Sequence, residues 1–212
     1  APEAGYGDRI SAEDLAGLIT ALGLEKPPIL GHSMGAVTAL TLAGLYPDLP
    51  GAILLEDPPA RWTPPSPVEE NDEDAVDWHA QSVAWITDLQ SKSREDVIAE
   101  QRAASDWSEA ELGPWADAKL MMSLNVLSRN RAPDMDWVNL VRQITCPALL
   151  VTADPEYGSL VTAEEAVQLQ ALVPQLQVAH IAGAGHNIRR EQFDAYLGVV
   201  LDFLAENRQT GH

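Results

Sequence analysis

Short apolar runs alternate with helical patterns along this chain, and the alternation predicts an α/β fold. Continuous apolar runs of strand length occur at 28–31, 52–55 and 147–152, and a further strand is predicted at 177–181. The stretch between the first two runs is rich in Ala and Leu and ends at Pro47, as a helix would. Two apolar strands joined by a helix form a βαβ unit, which is typical of a buried parallel sheet. We therefore predict a mostly parallel sheet with helices on both faces.

Amphipathic patterns predict the outer helices. Ser11 is the predicted N-cap of the first, and its apolar face is formed by Leu15, Leu18, Ile19 and Leu22. Thr162 and Glu165 predict a capping box for a later helix. The most regular apolar stripe follows residues 193–204 and predicts a long helix near the end of the sequence.

The pattern changes between residues 58 and 140. A proline-rich loop leads into a helical stretch, and all of the tryptophans lie in this section. We predict a first core segment at 1–57, an inserted helical cap at 58–140 and a second core segment at 141–212. The tryptophans either pack the cap or line an apolar pocket for a substrate, and both interpretations stay open. The pocket candidates are Trp62, Trp85 and Trp115.

Charge and composition restrict the classes of molecule that the chain is expected to bind. With 13 basic and 32 acidic residues, the formal net charge is −19. This charge opposes binding to nucleic acids and to anionic membranes, and leaves a small molecule as the expected partner. No apolar run approaches the ~18 residues of a membrane span, so we expect a cytoplasmic protein. Cys146 is the only cysteine, and no metal-ligand spacing or phosphate loop occurs, so neither a metal nor another cofactor is predicted.

The strongest chemical signal is the sequence Gly31-His32-Ser33-Met34-Gly35. A GxSxG pattern between a strand and a helix is typical of a nucleophile elbow, which exposes the serine hydroxyl above the sheet. The helix that begins near Met34 directs its free amides at negative charge developing beside the serine. We therefore predict Ser33 as the nucleophile, and His32 as a neighbour that shapes the elbow or the pocket.

A serine nucleophile needs a base and an acid that holds the base in the correct tautomer. His186 follows a Gly-Ala-Gly loop at a strand end and is the predicted base. Asp154, which follows another strand, is the first choice for the acid. Glu156 and then Asp57 are the alternatives, because both also lie near strand ends.

The elbow, the segment Asp154-Pro155-Glu156 and the segment Gly183-Ala184-Gly185-His186-Asn187 resemble the α/β-hydrolase superfamily. The similarity is to small serine hydrolases with a cap, and it extends over essentially the whole chain. It implies that Ser33 is the nucleophile, His186 the base and Asp154 the orienting acid. It also implies that the Met34 amide is one oxyanion donor.

The resemblance also implies strands before the elbow that this sequence lacks. About four strands with their connections, roughly 60 to 80 residues, precede it in the superfamily. The strand that carries Ser33 would then have an unpaired edge. We expect a complementing N-terminal segment, or a second copy of the chain in a homodimer, to cover this edge.

These expectations favour hydrolysis of a carboxylic ester or a lactone through an acyl-enzyme on Ser33. A hydrolase of C–C bonds is the alternative within the same fold. From a different class, a non-catalytic protein that binds a small ligand would keep the pocket without the chemistry.

Overall fold

The computed structural model describes residues 6–63, 72–128 and 135–207, without the side chains of 72–78 and 128. The strands are β1 Pro28–His32, β2 Ala52–Glu56, β3 Ala148–Thr152 and β4 Leu176–His180. The helices are α1 Asp8–Ala21, α2 Met34–Leu45, α3 Asp72–Ser91, α4 Arg94–Ala104, α5 Glu109–Leu120, α6 Trp137–Val141, α7 Ala163–Leu172, α8 Ile188–Glu191 and α9 Phe193–Glu206. Among these helices, none combines the length and the apolarity needed to cross a lipid bilayer.

The four described strands form one parallel sheet in the order β1-β2-β3-β4. Every residue of β2 and β3 is buried, which explains their unbroken apolar sequences. The predicted parallel sheet is confirmed, and each predicted strand lies within one residue of the observed one. Because all strands run the same way, their carboxyl ends share one edge of the sheet.

Helices cover both faces of this sheet, as predicted. Ile53 and Leu55 of β2 pack in a core with residues of α2, α6 and α7. Leu54 of the same strand faces the opposite way and packs in a core with Tyr196 and Phe203 of α9. Alternate strand residues point to opposite faces, so a fully apolar strand serves both cores.

The first helix differs from its prediction. α1 begins at Asp8, so Ser11 lies inside the helix and is not its N-cap. The side chains of Ala12 and Ile19 are buried, whereas Leu18 and Leu22 are 54% and 62% exposed. The buried residues of α1 pack against Leu42 of α2. The helix α2 therefore covers only one side of the predicted apolar face of α1.

The chain divides into two compact units, one comprising 1–7 with 65–131 and the other 8–64 with 132–212. The first is helical, with a small core of Leu89, Val97 and Ala116. Ser93 caps α4, because its side chain accepts a hydrogen bond from the Asp96 N–H. Ser108 precedes α5, and its side chain makes no such capping bond.

Candidate functional site

Ser33 lies in a sharp turn between β1 and α2. Its backbone has φ 54° and ψ −119°, a strained conformation for a residue with a side chain. Its N–H donates to the Glu56 carbonyl at 2.9 Å, which fixes the turn to β2. A Cβ on Gly31 would collide with the backbone of Gly35 and Ala36, whereas one on Gly35 would meet nothing within 4 Å. The turn therefore requires glycine at position 31 for steric reasons and does not require it at position 35.

Met34 is the first residue of α2. The N–H groups of a first helical turn have no acceptor within the helix, and they carry the positive end of the helix dipole. The predicted oxyanion donor therefore lies directly after Ser33, where it could bind a negatively charged oxygen.

The His186 imidazole pairs with Asp57 at the carboxyl edge of the sheet. Its Nδ1 lies 2.7 Å from Oδ2 of Asp57. A carboxylate only accepts hydrogen bonds, so Nδ1–H is the donor and a neutral ring keeps Nε2 unprotonated. That tautomer is the one a general base requires.

Asp57 follows β2 directly and its side chain is completely buried. Its Oδ1 accepts hydrogen bonds from the Ser159 hydroxyl at 2.8 Å and from the Val161 N–H at 3.0 Å. The Leu160 N–H lies within 3.0 Å of both carboxylate oxygens. Burial by itself raises the pKa of Asp57, but the hydrogen bonds from His186, Leu160, Val161 and Ser159 outweigh it, so the pKa lies below its usual value.

The structure contradicts the predicted pairing of Asp154 with His186. Oδ1 of Asp154 lies 3.0 Å from Nε2 of His180, and Oδ2 accepts from the Gly183 N–H at 2.7 Å. The other alternative, Glu156, is exposed on a short turn after β3. Asp57, the third choice, is the acid that contacts the imidazole.

The order of the strands places Asp57 nearer to Ser33 than Asp154. β2 lies between the strand that precedes Ser33 and β3, so Asp57 is one strand spacing from the serine, about 4.8 Å, and Asp154 is two. The backbone of Asp57 also has a positive φ of 43°, which ends the strand in a turn. Apolar patterning reveals neither the strand order nor this turn.

His32 connects the elbow to His186. Its Nε2–H donates to the His186 carbonyl oxygen at 2.7 Å, and the two ring centroids are 4.6 Å apart. Burial lowers the pKa of His32, which favours the neutral ring. Because His32 precedes Ser33, this contact brings the serine segment and the imidazole to the same edge of the sheet.

The three tryptophans predicted to line a pocket differ in their surroundings. Trp62 is 3% exposed, lies in the core beside α2 and donates from Nε1 to the Glu165 carbonyl at 2.9 Å. It is therefore a core residue. In the helical unit, Nζ of Lys119 lies 5.1 Å from the Trp85 ring and 5.9 Å from the Trp115 ring. A role of Trp85 and Trp115 in a substrate pocket stays a prediction.

Sequence reasoning missed the residues that support Asp57 and the segment after His186. Ser159 donates to Asp57, and Arg189 donates to Glu56 through both its backbone N–H and its guanidinium. One signal was available: Glu56-Asp57 places two acidic residues directly after a fully apolar strand. Buried acids require partners, so this pair could have been singled out.

Two cavities of the second unit lie apart from these residues. One of about 870 Å³ is lined by α1 and by the segment after α2. The other, of about 340 Å³, lies beside α7 and β4. Neither lining includes Ser33, Asp57 or His186, so we assign the substrate to neither cavity.

Comparison with known proteins agrees with this fold. A model of the alpha/beta hydrolase family matches residues 1–198. N-formylmaleamate deformylase of Pseudomonas putida is 28% identical over 210 residues, which cover 96% of this chain and 72% of that protein. The 2-(acetamidomethylene)succinate hydrolase of Mesorhizobium japonicum is 27% identical over 214 residues, which cover 96% and 73%.

The fold also matches that of a solved structure. The crystal structure of E-2-(acetamidomethylene)succinate hydrolase matches with a TM-score of 0.71 and 24% identity, over 96% of this chain and 76% of that one. At that identity the likeness shows the fold alone, whereas the family model spans nearly the whole sequence. The chain belongs to the alpha/beta hydrolase family.

Proposed function

We propose that this chain is a serine hydrolase that cleaves a carboxylic ester or a lactone through an acyl-enzyme on Ser33. The observation that carries the proposal is the 2.7 Å contact between His186 Nδ1 and the buried Asp57 carboxylate. It leaves Nε2 of a neutral imidazole able to accept a proton, and the ring contacts His32, the residue before the strained Ser33.

In this mechanism His186 takes the proton of the Ser33 hydroxyl as the oxygen attacks the carbonyl carbon. The charge that develops on the carbonyl oxygen is stabilised by the Met34 N–H at the start of α2. Asp57 stabilises the imidazolium and keeps its orientation. His186 then returns the proton to the leaving alkoxide, and the acyl group remains on Ser33.

The second half of the reaction removes the acyl group. His186 accepts a proton from water, which attacks the ester of Ser33 and forms a second tetrahedral intermediate. Its collapse transfers the proton back to the serine oxygen and releases the carboxylic acid. The acid and base roles of His186 therefore alternate, and the enzyme returns to its starting state.

A second candidate is hydrolysis of an acyl–nitrogen bond in a small carboxylate. The two relatives at 28% and 27% identity carry the names of a deformylase of N-formylmaleamate and a hydrolase of 2-(acetamidomethylene)succinate. The same nucleophile and base would serve such a bond. The acidic surface, with a net charge of −19, opposes the approach of an anion and favours a neutral ester.

A substrate panel separates these candidates. p-Nitrophenyl acetate and butyrate, a γ-lactone, N-formylmaleamate and 2-hydroxy-6-oxo-6-phenylhexa-2,4-dienoate are assayed with the wild type and with Ser33→Ala. We expect ester turnover, and a loss of at least about 1000-fold in the variant. Preference for N-formylmaleamate would favour the second candidate, and release of a dienoate cleavage product would favour the C–C alternative. No turnover, and no labelling of Ser33 by a fluorophosphonate, would favour a ligand-binding protein.

The β1 edge supports a further part of the proposal. In the described part of the chain β1 pairs with β2 alone, and Leu30 of β1 is 48% exposed. We propose that a complementing segment or a second copy of the chain covers this edge, because an unpaired apolar edge promotes association. Light scattering of the purified chain tests this: a stable monomer at high concentration contradicts it, and association reduced by Leu30→Lys supports it.

A further inference from the structure

A second buried carboxylate lies directly beside the one that contacts His186. The Glu56 side chain is fully buried, and its partners differ from those of Asp57. Its Oε1 accepts from the Arg189 N–H at 3.1 Å, and its Oε2 accepts from Nη1 of Arg189 at 3.0 Å. The Tyr196 hydroxyl of α9 also hydrogen-bonds to Glu56. The proposed chemistry uses none of these groups.

Glu56 contacts both halves of the site through different atoms. Its carbonyl oxygen accepts from the Ser33 N–H at 2.9 Å, while its carboxylate binds Arg189, three residues after His186. One residue of a buried strand is thus hydrogen-bonded to the nucleophile and to the segment that carries the base. A rigid link of this kind can fix the distance between the two.

The segments on both sides of His186 have little intrinsic rigidity. The segment before it contains Gly183, with φ +78°, and Gly185, so its backbone has few intrinsic restraints. The helix that follows, α8, has four residues and little stability of its own. The bonds from Arg189 to Glu56 attach this short helix to the centre of the sheet.

We infer that Glu56 and Arg189 act as a positioning pair that holds His186 at the reactive distance from Ser33. The inference rests on the proposed function. Arg189 also balances the charge of Glu56, so Asp57 is the carboxylate left to face the imidazole. Displacement of a catalytic group by about 1 Å can cost about 100-fold in rate, so loss of the pair lowers kcat by about 10- to 100-fold.

A single and a double variant together separate positioning from stability. Arg189→Met alone leaves a buried charge without its partner and lowers both the melting temperature and kcat. In the double variant Glu56→Gln/Arg189→Met the uncompensated charge is gone, so the melting temperature recovers. We expect its kcat for a p-nitrophenyl ester to stay at least 10-fold below the wild type, with KM within about threefold. Recovery of kcat together with stability would overturn the inference.

Arg189→Lys tests the same point without a large loss of stability. It keeps the positive charge and the backbone N–H, but it lacks the planar guanidinium. We expect a melting temperature near that of the wild type and a kcat reduced by about threefold to tenfold. A wild-type kcat would contradict the inference. The matched control is Arg102→Met, which removes a bidentate but exposed pair with Glu109 in the helical unit and leaves both quantities unchanged.

A readout independent of turnover keeps the two proposals distinguishable. We expect the proton on His186 Nδ1, which is donated to Asp57, to give a far-downfield NMR resonance in the wild type. We expect this resonance to broaden or vanish in the double variant, because the imidazole is no longer held against Asp57. An unchanged resonance would overturn the positioning role. If the wild type neither turns over esters nor reacts with a fluorophosphonate, the proposed function fails, and this resonance still decides the positioning role.

Discussion

Replacing Asp57 by asparagine is the most decisive test of the site, because it keeps the shape of the side chain and removes one acceptor. The carboxylate receives hydrogen bonds from the Ser159 hydroxyl, the Leu160 and Val161 N–H groups and the His186 imidazole. All four partners donate. Wherever the amide NH₂ of asparagine points, it meets another donor.

The positions of the four donors decide which of them loses its hydrogen bond to residue 57 in the variant. Oδ1 of Asp57 receives Ser159, Leu160 and Val161, whereas Oδ2 receives Leu160 and His186. The asparagine oxygen therefore takes the place of Oδ1, where most donors converge, and the NH₂ faces Nδ1 of His186. To accept this bond the imidazole must move its proton to Nε2, and it then cannot take a proton from Ser33.

The expected magnitude follows from this wrong tautomer. In serine proteases the corresponding change lowers kcat by about 10⁴, and we expect a fall of about 10³ to 10⁴ here. At 1.36 kcal/mol for each factor of ten, this is about 4 to 5.5 kcal/mol of lost transition-state stabilisation. The Leu160 N–H also loses one of its two acceptors, so the free energy of unfolding falls by about 1 to 3 kcal/mol.

The assay is initial-rate hydrolysis of p-nitrophenyl butyrate by the wild type, Asp57→Asn and Asp154→Asn. Asp154 is the matched control, because it also binds a histidine and a backbone N–H at a strand end. We expect Asp154→Asn to lose less than about tenfold, in line with an effect on the loop alone. A nearly active Asp57→Asn together with an inactive Asp154→Asn would refute the assignment of the acid.

Three other changes test the surrounding structure. Ser33→Ala abolishes fluorophosphonate labelling and leaves the circular dichroism spectrum unchanged; labelling that persists would place the nucleophile elsewhere. Gly31→Ala loses the folded state, because its Cβ would meet the Gly35 and Ala36 backbone, whereas Gly35→Ala melts within a few degrees of the wild type, and equal melting temperatures would contradict the elbow geometry. The hydrogen bonds that lower the pKa of Asp57 stabilise the fold above pH 3.8, and this stabilisation is lost as the pH falls through the lower pKa of the folded state. Urea unfolding at pH 6 and pH 3 therefore shows a smaller difference between the wild type and Asp57→Asn at the lower pH, and a constant difference would contradict it.

Local signals predicted what depends on local structure. The five residues from Gly31 to Gly35 specify the elbow because a steric requirement at Gly31 and a strand-to-helix junction both act within a few residues. Each predicted strand lies within one residue of the observed one, and the signal is clearest at β2 and β3, because a strand buried on both faces needs apolar side chains throughout. Thr162 and Glu165 form the predicted capping box, with bonds inside a single helical turn.

Features that depend on the neighbours of an element were not predictable in the same way. Leu18 and Leu22 match the helical periodicity of α1, yet both are exposed, since the buried face of the helix packs against α2. Trp62 is separated from Glu165 by about a hundred residues, and nothing near it in sequence indicates that its indole lies in the core. The identity of the acid that contacts His186 also depends on neighbouring elements. Asp57 and Asp154 both follow a buried strand, and the order of the strands distinguishes them.

The position of the acid also explains why two acidic residues follow one another at the end of β2. Glu56 is the last residue of β2 and Asp57 begins the turn after it, and the two side chains bind different partners: Asp57 contacts His186, while Glu56 binds Arg189 and Tyr196. The carboxylates of Glu56 and Asp57 therefore accept hydrogen bonds from different donors. With the acid on β2, Asp154 at the end of β3 binds His180 and Gly183, and so supports the loop that leads to His186. The two acidic residues at the end of β2 therefore bind the imidazole ring and the helix that follows it. Asp154, after β3, binds the loop that precedes the imidazole.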